Sequence, residues 1–224
     1  MTVLAICPST NSPGKKDATG AFIPEARKWA KIHDGVVEQF DNTPSLARRR
    51  AQVNDILRKH KGAGHDGIGF FCHGLTKQIQ TGHRLADVHG LATLLTDCTV
   101  DHGPVVALYA CDAGDTQIKN GPGGDGGFAD ALRDALVRCN VRHWWEGHVD
   151  AHATTGHATT NPYVRRFTCA IAVPSEEVLG LVGGEWIVAP GSFHWPSWVK
   201  ELKGNLRFHF PFMSENMIRR SLPI

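Results

Sequence analysis

Residues 67–74 read Gly-Ile-Gly-Phe-Phe-Cys-His-Gly, and residues 104–111 read Pro-Val-Val-Ala-Leu-Tyr-Ala-Cys. Each stretch is a short, almost uninterrupted apolar run of the kind that forms a strand buried on both faces of a parallel sheet. Each run ends abruptly in a residue that can do chemistry, a histidine at 73 and a cysteine at 111. The two stretches therefore predict both the central strands and the place to look for a site.

Working outward, the remaining pattern alternates strands with helices. Apolar runs predict further strands at residues 2–6, 36–40 and 141–145, with residues 171–173 as a candidate sixth. Amphipathic stretches predict helices at residues 22–33, 45–61, 85–97 and 127–139, the second of them with Ser45 as its N-cap. This alternation implies βαβ units, so we expect an α/β fold with three layers around a mainly parallel sheet.

The chain divides into a main domain, residues 1–173, and an extension, residues 174–224. Residues 183–212 are rich in tryptophan, phenylalanine and proline and show no clean helical or strand period. About 50 residues make a marginal core on their own. We therefore expect the extension to pack on the main domain.

Composition places few limits on function. The 224 residues carry a net charge of +2, which gives no push towards nucleic acid or membranes, and we read the basic residues 46–50 as a solvated helix face. No apolar stretch approaches the ~20 residues of a membrane helix, and no secretory signal is recognisable. We therefore expect a cytoplasmic protein whose six cysteines, none of them in a Cys-x-x-Cys pair, are reduced thiols.

His73 and Cys111 follow consecutive core strands in the predicted sheet. Ligands of open parallel sheets bind at the carboxyl ends of the strands, so the two side chains are expected to share one crevice. A histidine can take the proton of a nearby thiol and later protonate a leaving amine. Backbone N–H groups at Gly74 and Cys111 are candidates for stabilising an oxyanion, with Gly74 leaving room for substrate because it has no Cβ.

An apolar strand ending in His73-Gly74, followed by one ending in Ala110-Cys111 with Gly114 beyond, resembles the caspase, gingipain, separase and CHAT-type peptidases. The resemblance covers roughly residues 1–170 and is most specific at these two motifs. It implies the caspase-haemoglobinase fold, with His73 as general base and acid, Cys111 as nucleophile and Gly74 as oxyanion donor. It further implies a cysteine endopeptidase that acts on proteins or peptides through an acyl-enzyme, without metal or cofactor.

The chain departs from the caspase pattern in ways that leave its specificity open. The signature Gln-Ala-Cys-x-Gly is reduced to Tyr-Ala-Cys-Asp-Ala-Gly, and 38 positions separate His73 from Cys111 instead of about 50. Cleavage after aspartate is therefore not implied. Asp17, Asp112 and Asp150 are the candidates for binding the P1 side chain of a substrate.

Three other patterns compete with this interpretation. Residues 121–126 match Gly-x-Gly-x-x-Gly but do not follow their strand directly, so we read them as a loop beside Cys111. A cluster of histidines at positions 143, 148, 152 and 157 could hold zinc, although polar loop histidines are the simpler reading. Cys72 belongs to its strand and should point away from His73. Two alternative functions thus stay open, a catalytically silent caspase-like binding module and a histidine-bound metal hydrolase.

Overall fold

The computed structural model describes most of the first 139 residues and several strands beyond them. The described residues are 2–10, 22–101, 104–114, 127–139, 148–152, 164–168, 178–182 and 185–188. Predictions for residues 11–21, 115–126, 141–145, 171–173 and 189–224 fall outside them. Within the described part, no helix combines the length and hydropathy needed to cross a bilayer.

Six described strands form one sheet. In chain order they are β1 (Val3–Pro8), β2 (Val36–Phe40), β3 (Gly67–Phe71), β6 (Val105–Tyr109), β7 (His148–His152) and β8 (Val164–Thr168). Their order across the sheet is β2-β1-β3-β6-β7-β8. The first five are parallel to one another, and β8 runs antiparallel to β7. The predicted α/β fold with a mainly parallel sheet is confirmed.

Helices cover both faces of this sheet. They are α1 (Phe22–Ile32), α2 (Leu46–Lys59), α3 (Val88–Cys98) and α4 (Phe128–Cys139), with a single 3-10 turn (Leu85–Asp87) leading into α3. Apolar residues of α2, α3 and α4 join one core on one face, while α1 packs into a separate core on the other. The arrangement is compatible with the predicted three layers.

The helices form where apolar residues recur at helical spacing. In α1 the buried residues are Phe22, Ala26 and Ala30, each four positions after the last. Ser45 occupies the N-cap position of α2 as predicted, but its side chain makes no capping hydrogen bond. At the same helix, the basic run is not wholly solvated, because Arg50 forms an ion pair with Asp87.

Two small hairpins accompany the main sheet. The strands β4 (Gly74–Leu75) and β5 (Gln78–Ile79) form an antiparallel pair directly after β3. The strands β9 (Val178–Val182) and β10 (Glu185–Val188) form another, and β10 lies in the stretch of sequence that shows no clean period. Only the first hairpin bears on the candidate site.

Burial differs between the two central strands. All five residues of β3 are buried, as predicted for a strand covered on both sides. In β6 the burial alternates, with Val106 and Leu108 buried but Ala107 and Tyr109 only partly so. Along β6, then, the face shared with α1 is only partly covered, which leaves a cavity of about 170 Å³.

Candidate active site

His73 and Cys111 lie beside each other because their strands pair in register. In the parallel ladder of β3 and β6, Phe71 pairs with Tyr109. The backbone N–H of Cys72 donates to the carbonyl of Tyr109 at 3.2 Å, so the pairing extends one residue beyond the strand. The next residue pair outward is His73 and Cys111, on chains that run ~4.8 Å apart in such a ladder.

Both side chains project to the α1 face of the sheet. The imidazole of His73 packs against the Phe22 ring of α1, with ring centres 4.8 Å apart and planes at 85°. Cys111 is partly buried against the core that contains the same Phe22. The thiol and the imidazole are thus neighbours on one side of the sheet, at its carboxyl edge.

Gly74 lets the two loops touch. A Cβ at this position would lie 2.8 Å from the Cβ of Ala110 and still closer to the carbonyl oxygen of Cys111. The missing side chain therefore makes room for the loop that carries Cys111. Besides the room for substrate that the sequence predicts, the glycine thus has a packing reason.

The hydrogen-bond pattern of the hairpin directs the N–H of Gly74 outward. Gly74 pairs with Ile79, and the flanking pair is bonded through the N–H of Gln80 and the carbonyl of His73 at 2.8 Å. Antiparallel ladders alternate between hydrogen-bonded and non-bonded pairs, so Gly74 and Ile79 form a non-bonded pair. The N–H of Gly74 consequently points away from β5 and towards the open edge of the hairpin.

Cys111 begins a tight turn. The N–H of Ala113 donates to the carbonyl of Ala110 at 3.4 Å, and Asp112 adopts a left-handed conformation with φ of 58°. Aspartate is among the few side chains that tolerate this region. The turn carries the chain off the edge of the sheet immediately after the thiol.

The start of α4 ties the two loops together. The N–H of Phe128 donates to the carbonyl of Thr76 at 2.8 Å, and the N–H of Ala129 donates to that of Ala113 at 2.9 Å. The first turn of a helix leaves its N–H groups without partners inside the helix. Here they bind one loop from each half of the site, an arrangement that the sequence did not reveal.

Cys72 is excluded as the nucleophile. Its side chain is fully buried in the core on the α2 and α3 face, opposite His73, as predicted. Burial raises the pKa of its thiol to about 12, so it carries almost no thiolate at neutral pH. Of the two neighbouring cysteines, Cys111 is the accessible one.

Of the weaker candidates for P1 recognition, Asp150 lies away from the site. Asp150 pairs in register with Ala107, four residues before Cys111 on the neighbouring strand, which is ~13 Å from the edge. It is 4% exposed and lines the cavity beside α1 together with Tyr109. Asp112 directly follows Cys111 in the turn, and Asp17 lies outside the described residues.

Two members of the rival histidine cluster, His148 and His152, lie among the described residues. His148 and His152 lie at the two ends of the strand β7, so the prediction that they are loop histidines is wrong. Four residues of strand separate their backbones by ~13 Å, too far for a shared zinc ion. Among the residues that the structure describes, no three potential ligands are grouped for a metal, and His143 and His157 fall outside them.

Two comparisons with known proteins found no relative. No protein-family model matches the chain, and no curated protein matches it significantly. A thiol beside an imidazole, with the outward N–H of Gly74 nearby, is equipped for nucleophilic attack on a carbonyl and for stabilising the oxyanion that results.

Proposed function

We propose that this protein is a cysteine endopeptidase with Cys111 as nucleophile and His73 as general base and acid. The observation that carries the proposal is the register of β3 and β6, which sets these two residues side by side on one face. A single buried cysteine or histidine at a strand end would most simply be part of the core. The pairing of both, with the thiol partly exposed, favours a reactive site.

The reaction follows from the two side chains. His73 takes the thiol proton, and the sulfur of Cys111 attacks the carbonyl carbon of the peptide bond. The N–H groups of Gly74 and Cys111 stabilise the oxyanion of the tetrahedral intermediate. His73 then gives its proton to the leaving amine as the C–N bond breaks, which leaves a thioester on Cys111. Water, deprotonated by His73, hydrolyses the thioester and restores the thiol.

The resemblance to caspase-like peptidases is part of the same proposal. What supports it is the mainly parallel sheet and the position of the two residues after the third and fourth strands of that sheet in chain order. A reducing compartment such as the cytoplasm would keep the Cys111 thiol available for this chemistry. The substrate in this proposal is a peptide or protein, and its P1 residue is left to experiment.

Covalent labelling tests the proposal directly. A panel of electrophilic peptidyl ketones is incubated with wild type, His73→Ala and Cys111→Ala, and the modified residue is mapped by mass spectrometry. We expect labelling confined to Cys111, strongly reduced by His73→Ala, with the preferred probe revealing the P1 residue. Cys72→Ala serves as the matched control and should still be labelled at Cys111.

The opposite result would redirect the assignment. Slow labelling of several cysteines, unchanged by His73→Ala, would refute the peptidase. Intact folding with no thiol reactivity would favour the catalytically silent binding module. Hydrolysis that survives Cys111→Ala but stops with a chelator would favour the metal hydrolase.

A further inference from the structure

A single residue, Gln80, binds both backbone polar groups of His73. The N–H of Gln80 donates to the carbonyl of His73 at 2.8 Å, and the N–H of His73 donates to Oε1 of Gln80 at 3.1 Å. The first bond joins the two residues that flank the β4–β5 hairpin at the end away from its turn. The second is made by a side chain, seven positions along the chain.

The side-chain bond replaces a strand partner that is no longer there. The N–H of Cys72 donates towards β6, so in a continuing strand the N–H of His73 would face β1, and the paired residues of β1 and β3 end at Ile6 and Phe70. A backbone N–H at a partly buried position needs an acceptor. The amide oxygen of Gln80 provides one and thereby fixes the backbone from which the imidazole extends.

The segment that follows Gln80 is itself anchored to the core. Burial raises the pKa of Cys72, and the backbone N–H groups of Gln80 and Thr81 beside its thiol oppose that rise. The hydroxyl of Thr81 lies 2.8 Å from Nδ1 of His83, whose Nε2 lies 3.0 Å from Oδ1 of Asn54 in α2. Nε2 therefore carries the proton and donates to Asn54, while Nδ1 accepts from Thr81.

Gly82 completes the anchor. Its φ of 89° is a conformation that favours glycine, and a Cβ there would collide with the carbonyl group of Leu46 at the start of α2. The loop from Gln80 to His83 is thus pressed against α2. Gln80 therefore binds His73 from a loop that is itself held against α2, which fits a role in setting the position of His73.

We propose that Gln80 is a positioning residue for the imidazole of His73, an inference that rests on the proposed function. The ring of Phe22 packs against the imidazole, and Gln80 fixes the backbone beneath it. Together they set the direction from which His73 meets the thiol of Cys111. Loss of the Gln80 oxygen should loosen this geometry without removing either reacting group.

The test uses two variants that separate the hydrogen bond from the bulk of the side chain. Gln80→Met keeps the length but removes the acceptor, whereas Gln80→Glu keeps an acceptor and adds a negative charge near the imidazole. The rate of Cys111 alkylation by iodoacetamide is measured by mass spectrometry across pH 5–9 (about the range in which histidine and cysteine titrate), with folding checked by circular dichroism.

We expect Gln80→Met to slow alkylation about fivefold near neutral pH, the effect of one lost hydrogen bond. Gln80→Glu should retain most of the rate and move the pH profile upward, because a carboxylate stabilises the imidazolium. The control is Gln52→Met, which removes a side-chain bond to the backbone N–H of Asp41 (2.9 Å) on an exposed part of the fold. It should leave the alkylation profile unchanged.

Each possible failure has its own signature. If Gln80→Met matches wild type while His73→Ala lowers the rate, Gln80 has no positioning role and the pairing of His73 with Cys111 stands. If both Gln80 variants only lower the melting temperature and leave the pH profile in place, the role is merely structural and the inference is overturned. If His73→Ala itself changes nothing, the proposed function fails.

Discussion

The contact at Gly74 allows a sharp test of how closely the two halves of the site must approach. We consider Gly74→Ala, which adds one methyl group and preserves the backbone N–H. The new Cβ would lie 2.8 Å from the Cβ of Ala110. Two non-bonded carbons are comfortable at ~3.5–4.0 Å, so one loop must move by about 1 Å.

A displacement of this size has two consequences. Forcing an extra methyl group into a packed site costs roughly 1–3 kcal/mol in the free energy of unfolding. A misplacement of about 1 Å between reacting groups can lower a rate about 100-fold. Because the residue follows His73 directly, we expect the loss of Cys111 reactivity to exceed what the loss of stability alone would produce.

The matched control is Gly90→Ala. Gly90 lies on the exposed side of α3, and a Cβ there would meet no other atom within 4 Å. Alanine is favoured over glycine in a helix by up to about 1 kcal/mol, so this variant should be as stable as wild type or slightly more so. Urea denaturation and the rate of Cys111 alkylation at neutral pH would be measured for both variants. A Gly74→Ala protein with wild-type stability and wild-type reactivity would refute the contact described above.

Three further predictions concern groups around the site. Burial lowers the pKa of His83 from 6.5 to about 4, so the unfolded chain takes up the proton first as the pH falls. Wild type should therefore lose about 3 kcal/mol of stability between pH 6.5 and pH 4 in urea titrations, and the same loss in His83→Gln would contradict this. Native Cys72 should resist iodoacetamide at pH 8 and react once the chain is unfolded, a difference that peptide mapping would reveal. EDTA should not alter the alkylation rate of Cys111, since His148 and His152 are too far apart to share a metal; a rate that falls with EDTA would reopen the metal alternative.

The elements that could be predicted from the sequence are those whose apolar residues form a regular pattern, either an unbroken run in a strand or one side of a helix. The boundaries of α1, α2 and α4 and of β2, β3 and β6 were predicted to within two residues, because their buried positions recur at a regular spacing. The strand β7 was missed. Its sequence is His-Val-Asp-Ala-His, and of its three described side chains Val149 and Ala151 lie in the core, while Asp150 faces the cavity beside α1. A strand with one partly covered face gives a weak apolar signal, and its histidines suggested loop or metal chemistry instead.

The residues of the candidate site also fall into those that the sequence could predict and those that it could not. His73 and Cys111 could be predicted because each terminates an apolar strand, and parallel strands end at a common edge. Gln80 and Phe22 could not, since their roles depend on a two-residue hairpin and on the packing of α1, neither of which leaves a local pattern. The reason for Gly74 was also hidden, because a steric contact with a loop 37 positions away has no trace in its own neighbourhood.

The crossover between β3 and β6 has a consequence for biosynthesis. The two residues of the proposed pair are carried by strands that α3 and its connections separate, and parallel strands cannot pair until such a crossover is in place. A ribosome releases the histidine well before the cysteine, so a nascent chain that ends before Cys111 contains only one member of the pair. Enhanced reactivity of Cys111 would thus report completion of the middle of the sheet, and its rate of appearance during refolding would time that event.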